Sequence, residues 1–180
     1  MINKKTVLAV IPARGGSKRC PRKNIRDFRG IPLLAWTYKA ADNSSYIDRI
    51  ILSTEDAEIK SSAEKIGFQV IERPADLATD TATCEDVIRH VLRSYPADWV
   101  VLLQPCSPLR TSEDIDTCIE LAQHNGACIS YSTAGIKNGA VFVARRDLID
   151  RYSFSFLGST VHYMPIYRSL DIDTEEQLAS

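Results

Sequence analysis

The 180-residue chain has no apolar run approaching the ~20 residues that a membrane span needs, so no spanning helix is expected. It has no excess of charge of either sign: 22 Lys and Arg face 23 Asp and Glu, for a formal net charge of −1. That balance argues against bulk attraction to nucleic acid or to a membrane surface. It has no C-x-x-C pair, and its five cysteines (Cys20, Cys84, Cys106, Cys118, Cys128) are odd in number. Neither a zinc site nor a disulfide framework is expected, and the cysteines read as small packing residues in a reduced, cytoplasmic setting. The basic N-terminus, Met1-Ile2-Asn3-Lys4-Lys5, is not followed by a cleavable signal pattern. Internal repeats, low-complexity tracts and linkers are missing as well. The chain therefore reads as one domain, residues 1–180, long enough for a substantial core.

What is present is organised around Val10-Ile11-Pro12-Ala13-Arg14-Gly15-Gly16-Ser17-Lys18-Arg19-Cys20-Pro21-Arg22-Lys23-Asn24. A β-branched apolar run from Thr6 to Ile11, bounded by Pro12, reads as a buried strand. It opens into a loop with two glycines and five cations: Arg14, Lys18, Arg19, Arg22 and Lys23. Glycines let backbone N–H groups approach an anion, and cations offset its charge. The loop is not a Walker motif, since Ser17 rather than Gly precedes Lys18, and it lacks the third glycine of the dinucleotide fingerprint. On the loop alone, a solvated basic surface segment is the competing reading.

Strands then alternate with helices. Pro32 to Ala41 reads as a helix with Pro in the first turn, ended by Asn43-Ser44-Ser45. Arg49 to Ser53 is a second strand. A helix from Asp56 to Ile66 stops at Gly67, and Phe68 to Ile71 is a third strand. Glu72 to Thr83 is a loop, in which Asp76 and Asp80 are expected to bond the loop's own backbone. Cys84 to Arg93 is helical, and Trp99 to Leu103 is the clearest strand. Thr111 or Ser112 caps a helix with Ile115, Cys118, Ile119 and Ala122 inward. Ala127 to Tyr131 and Ala140 to Ala144 are further strands, and a short helix ends the chain. This alternation predicts a three-layer α/β/α fold with a mostly parallel sheet. Ligands bind such sheets at the carboxyl ends of strands, where the motifs fall.

The loop A-R-G-G-S-K-x-x-x-x-K-N resembles that of the acylneuraminate cytidylyltransferases, the CMP-sialic acid synthetases and their relatives. The resemblance continues through Arg73-Pro74-Ala75-Asp76-Leu77-Ala78-Thr79-Asp80 and Leu102-Leu103-Gln104-Pro105-Cys106-Ser107-Pro108-Leu109-Arg110. It recurs at Asn138-Gly139-Ala140-Val141-Phe142 and Asp171-Ile172-Asp173-Thr174. It implies a Rossmann-like nucleotide-diphospho-sugar transferase fold. It also implies transfer of CMP from CTP to the anomeric hydroxyl of a nine-carbon sugar acid, with release of pyrophosphate. Ala13, Arg14, Gly16, Ser17, Lys18, Lys23 and Asn24 match the triphosphate loop. Arg14 and Lys23 are the foremost phosphate contacts, and Arg19 and Arg22 are equally well read as solvated surface cations. Arg73 with Thr81, Ala82 and Thr83 matches the nucleotide-binding segment. Gln104, Ser107, Arg110 and Asn138 match substrate-side positions, although Arg110 also reads as one half of an ion pair.

Asp171 and Asp173 form D-x-D, which in extended chain places both carboxylates on one face. Two carboxylates on one face suit Mg²⁺ bridged to phosphate oxygens. The resemblance makes this pair the metal site and, with Arg14 and Lys23, the catalytic set.

One departure stands out. Family members carry a long excursion between the segments matching Ile129-Ser130-Tyr131 and Asn138-Gly139-Ala140, reaching toward a partner subunit and gripping the sugar acid. Here only Ser132-Thr133-Ala134-Gly135-Ile136-Lys137 intervenes. The usual dimer element is thus missing from residues 132–138, leaving homo-oligomerisation open, with Lys137 as a substitute cation or a solvated turn residue. Three readings remain at this point. The first is a minimal cytidylyltransferase for a sialic-acid-like acid. The second is a CTP-binding homologue without acceptor activity, serving as a regulator or partner subunit. The third is a nucleotidyltransferase for another acceptor such as Kdo.

Overall fold

The run predicted from Thr6 to Ile11 is a strand, β1 (Val7–Pro12), whose first five residues are all buried. Val7, Ala9 and Ile11 pack into one layer, and Leu8 and Val10 into the other. A strand covered on both faces must be apolar at every position, which is why it reads as a run rather than an alternation. The computed structural model describes residues 2, 4–151 and 160–179. After β1 come a small hairpin, β2 (Asp27–Phe28) and β3 (Ile31–Pro32), then α1 (Leu33–Asp42), β4 (Arg49–Thr54), α2 (Ala57–Ile66) and β5 (Gln69–Glu72). The chain continues with α3 (Cys84–Ser94), β6 (Trp99–Leu103), α4 (Ser112–Asn125), β7 (Ala127–Ser132) and β8 (Lys137–Arg145). It closes with α5 (Arg146–Arg151), β9 (Thr160–Met164) and α6 (Glu175–Leu178).

Among the described residues, seven strands form one sheet in the order β5-β4-β1-β6-β8-β7-β9. All neighbours are parallel except those of β8, which runs antiparallel to both β6 and β7. Helices α1, α2 and α4 cover one face, and α3 and α5 the other. The expected α/β/α layering with a mostly parallel sheet is what the chain forms. From β1 the chain builds outward to β4 and β5, then returns to lay β6 on the opposite side of β1. The strand order reverses there, and the crevice beyond the carboxyl ends of β1 and β6 is the ligand position of such sheets.

The helix ends follow the local chemistry. Asp56 caps α2 by accepting from the N–H groups of Glu58 and Ile59, and Gly67 ends it at φ 115°. Thr111, the first of the two predicted caps, starts α4 in a reciprocal box with Asp114. Pro32 sits at the cap of α1 rather than in its first turn. The loop expected from Glu72 to Thr83 contains a 3-10 turn, Ala75–Ala78.

Four elements escaped sequence reasoning: the β2–β3 hairpin, α5, β9 and the first three residues of β8. The β7–β8 connection is a tight exposed turn. The Ser132 N–H donates to the Ile136 carbonyl (2.8 Å) and the Gly135 N–H to the Ser132 carbonyl (2.9 Å), with Gly135 at φ 79°. All five cysteines are free thiols, and only Cys84 is more than marginally exposed.

A third, smaller core decides where the site closes. Cys20, Phe28, Leu33, Ile172 and Leu178 pack together, with Trp36, Leu109 and Leu170 against them. This cluster clamps the end of the chain beneath the loop that follows β1. An ion pair between Arg26 and Glu175 fastens the rim.

Candidate active site

A cavity of about 510 Å³ opens beyond β1 and β6, between Pro12 and Gln104, with the 73–84 segment along one side. Arg14, Ser17, Lys18, Lys23, Asn24, Arg73, Ala82, Thr83, Gln104 and Asp173 line it. Sequence reasoning had singled out each of these.

The loop after β1 is held from inside. The buried Ala13 N–H donates to the Ser53 carbonyl at 3.0 Å. Asn24, on a 3-10 turn (Lys23–Ile25), turns its side-chain amide back to the Arg14 carbonyl at 3.1 Å. The glycines do not both serve an anion as expected. The Gly15 N–H donates to Glu55 Oε1 at 2.7 Å, and a Cβ there would collide with the Asp56 carboxylate. Gly15 is needed for that close approach, whereas Gly16 faces open space.

Every loop cation finds a carboxylate. Lys23 Nζ donates to Asp173 Oδ1 and to the Ile172 carbonyl, both at 2.8 Å. Arg19 pairs with the other Asp173 oxygen at 2.5 Å, and Arg22 with Asp56 (2.5 Å) and Glu58 (3.1 Å). Arg19 and Arg22 are thus paired rather than simply solvated. Asp80 does not bond its own backbone as expected: it takes Arg14 at 2.8 Å and Lys18 at 2.6 Å. The Lys23 hydrogen bond, reinforced by Arg19, holds the Asp173 carboxyl below the usual range. Lys18 and then Arg14 do the same for Asp80.

The far wall is braced by Arg73, buried, with Nε on Ser53 Oγ (3.2 Å) and Nη2 on the Ser53 carbonyl (2.6 Å). Burial lowers its pKa, and the nearby Glu55 offsets part of that shift. The Thr79 hydroxyl accepts from the Ala82 N–H at 3.2 Å, and Thr83 caps α3 through Asp86.

Seven predicted positions do not line the cavity: Ala13, Gly16, Thr81, Ser107, Arg110, Asn138 and Asp171. Arg110 is buried and bonds the Gln104 carbonyl, the Ser107 carbonyl (2.8 Å) and Thr37 Oγ1 (3.3 Å). It locks the turn after β6 rather than facing a substrate or pairing with an acid, and burial pulls it down to about 10. Ser107 is buried in the same turn. The Asn138 side chain ties Ser130 Oγ (2.7 Å) to Ser169 Oγ (3.1 Å). Lys137 lies over the Phe142 ring, 5.0 Å from its centroid.

Asp171 sits behind the cavity against Cys106, whose carbonyl accepts the Ile172 N–H at 2.7 Å. Burial and the Asp171 carboxylate push the Cys106 thiol up to about 12, so it is inert as a nucleophile. Asp171 Oδ1 is buried without a hydrogen-bond partner. An unpartnered carboxylate oxygen two residues from a second carboxylate suits a hard divalent cation in donor type. Among the described residues no group of three or more His, Cys, Asp or Glu could hold a metal, so this pair would need phosphate oxygens to complete a shell. Sequence reasoning missed Glu55, Asp56 and Cys106 as organising residues. The acidic pair at the end of β4 was the available signal.

The cytidylyltransferase family model matches residues 8–151, most of the chain. The chain belongs to the cytidylyltransferase family. This family member is 40% identical over 138 residues to the CMP-N,N'-diacetyllegionaminic acid synthase of Legionella pneumophila, covering 73% of the chain and 60% of that protein. It is 38% identical over 118 residues to the N-acylneuraminate cytidylyltransferase of Escherichia coli, covering 65% of the chain and 28% of that protein. The chain thus spans less than two thirds of the length of either relative. Its fold matches the solved structure of CMP:2-keto-3-deoxy-manno-octonic acid synthetase complexed with CTP, with a TM-score of 0.81. That match covers 97% of this chain and 96% of the other at 16% identity, a likeness of fold. Among the described residues of this cytidylyltransferase-family chain, no helix is long and apolar enough to cross a membrane.

Proposed function

We propose that the chain binds CTP in the cavity and transfers CMP to the anomeric hydroxyl of a sialic-acid-like nonulosonic acid. The sugar oxygen attacks the α-phosphorus, the bond to the bridging oxygen of the β-phosphate breaks, pyrophosphate leaves, and the hydroxyl proton passes to solvent. The observation that carries this reading is the meeting of Lys23 with Asp173 at the cavity edge, 2.8 Å apart across 150 residues of sequence. Arg14, Lys18, Arg19 and Lys23 bind and orient the phosphates, with Arg as a fork and Lys as a point charge. Ser17 and Asn24 belong to the same phosphate loop, Arg73, Ala82 and Thr83 shape the nucleoside end, and Gln104 faces the acceptor. Asp171 and Asp173 would hold Mg²⁺ together with phosphate oxygens. When bound, the ion polarises the α-phosphate and offsets charge on the leaving group.

The named relatives support a sugar acid as acceptor, with neuraminic and legionaminic acids both represented. The tight β7–β8 turn favours a second reading, a CTP-binding homologue without acceptor activity. Pyrophosphate release from CTP and Mg²⁺, scanned over N-acetylneuraminic acid, other nonulosonic acids and Kdo, separates the two. Release with one acid identifies the acceptor. CTP binding with no release for any acid supports the second reading.

A further inference from the structure

Asp80 takes two cations of the phosphate loop from across the cavity. Its Oδ1 accepts from Arg14 Nη1 at 2.8 Å and its Oδ2 from Lys18 Nζ at 2.6 Å. One oxygen per cation is the arrangement two phosphate oxygens would adopt toward the same pair. All three residues line the cavity. The Asp80 carboxylate is 56% exposed and Lys18 is 79% exposed, so these pairs are weak and exchange readily.

The carboxylate is not what holds its own loop. Thr79 takes the Ala82 N–H, Thr79 and Thr81 hydroxyls bond at 3.1 Å, and Thr83 caps α3 through Asp86. Asp173 plays a similar part toward Arg19 and Lys23, but it belongs to D-x-D and so has a second role. Asp80 has no such second role.

Resting on the nucleotidyl-transfer reading above, we propose that Asp80 is an internal counter-ion that competes with phosphate for Arg14 and Lys18. Phosphates of the nucleotide displace it on binding, and its return to the two cations assists departure of pyrophosphate. No covalent bond is made or broken by Asp80; two ion pairs exchange for phosphate contacts and back. Asp80 thereby weakens substrate binding and product binding together, and limits retention of pyrophosphate. The opposing role, in which Asp80 orients Arg14 and Lys18 to receive phosphate, predicts the reverse effect on affinity.

Calorimetric titration distinguishes the two roles. Pyrophosphate and CTP are each titrated, with and without Mg²⁺, into the wild-type chain, Asp80→Asn, Asp80→Ala and Asp80→Glu. Both neutral variants should bind pyrophosphate about three- to tenfold more tightly at low salt. The gain should shrink as NaCl is raised, and Asp80→Glu should restore affinity toward wild type. Thermal melting of each variant establishes that the fold is kept. Equal or weaker pyrophosphate binding in the neutral variants overturns the proposal while leaving CTP binding by the wild type as support for the enzyme reading. Binding only in the neutral variants supports it. Failure of every protein to bind either ligand overturns both the counter-ion and the enzyme reading.

Discussion

Lys23 and Asp173 form a pair in which the cation favours the ionised carboxylate. The lysine is mostly covered and the carboxylate half-buried, so their 2.8 Å contact is less screened than the outer Arg19 pair. The hydrogen bond from Lys23, with Arg19 adding to it, lowers the Asp173 pKa in the folded chain. The stability this supplies is complete above the ordinary Asp value of about 3.9 and is lost as pH falls through the lower folded value. Melting temperature should therefore drop more steeply on acidification in the wild type than in Asp173→Asn, with the two curves parallel near neutrality. If Lys23 also grips phosphate, Lys23→Ala should cut pyrophosphate release on the order of a hundredfold. A change of less than twofold would remove it from the catalytic set.

Among the elements, the start of α4 gathers several polar contacts on one buried carboxylate. Asp114 closes the capping box with Thr111 and is 1% exposed, yet its Oδ1 also takes His162 Nε2 at 3.0 Å and Arg168 at 3.1 Å. One carboxylate thus ties α4 to β9 and to the segment after it. Asp114→Ala should cost about 3–5 kcal/mol in urea unfolding, since it strands a partly buried cation as well as a cap. The cap itself was legible: Thr, then Asp three residues on, ahead of an apolar stripe. The link to His162 and Arg168 was not, because those partners lie 48 and 54 residues away. Strands buried on both faces, such as β1 and β6, announce themselves as apolar runs. The start of β8, Lys137-Asn138-Gly139, is polar and becomes a strand only by pairing across the turn. Within the site, the cations of the loop were readable from composition and motif. What Arg110, Ser107 and Asn138 do was not, since a motif does not reveal whether a polar side chain faces a ligand or a backbone carbonyl.

At the scale of the whole molecule, the sheet brings the first loop and the last segment together, and the small third core keeps them there. Ile172, fully buried between the two site carboxylates in sequence, is the plug of that core. Ile172→Ala should cost about 2–5 kcal/mol and raise the Mg²⁺ needed for half-maximal pyrophosphate release. Unchanged stability in the variant would show that the segment is held by its polar contacts alone.

The β7–β8 turn has a further consequence for anyone wishing to rebuild this protein. Residues 133–137 are exposed, and the strand they lead into brings Gly139 close against Gln104, where the acceptor is proposed to bind. The Ser132–Ile136 hydrogen bond closes the base of the turn. A longer peptide spliced between Ala134 and Gly135 would start two residues beyond β7 and finish two residues before β8, and each doubling of its length costs only about 0.6 kcal/mol in closure entropy. The turn is a natural cassette port, through which new acceptor-reading segments can be exchanged without recutting the half of the protein that holds the phosphate loop.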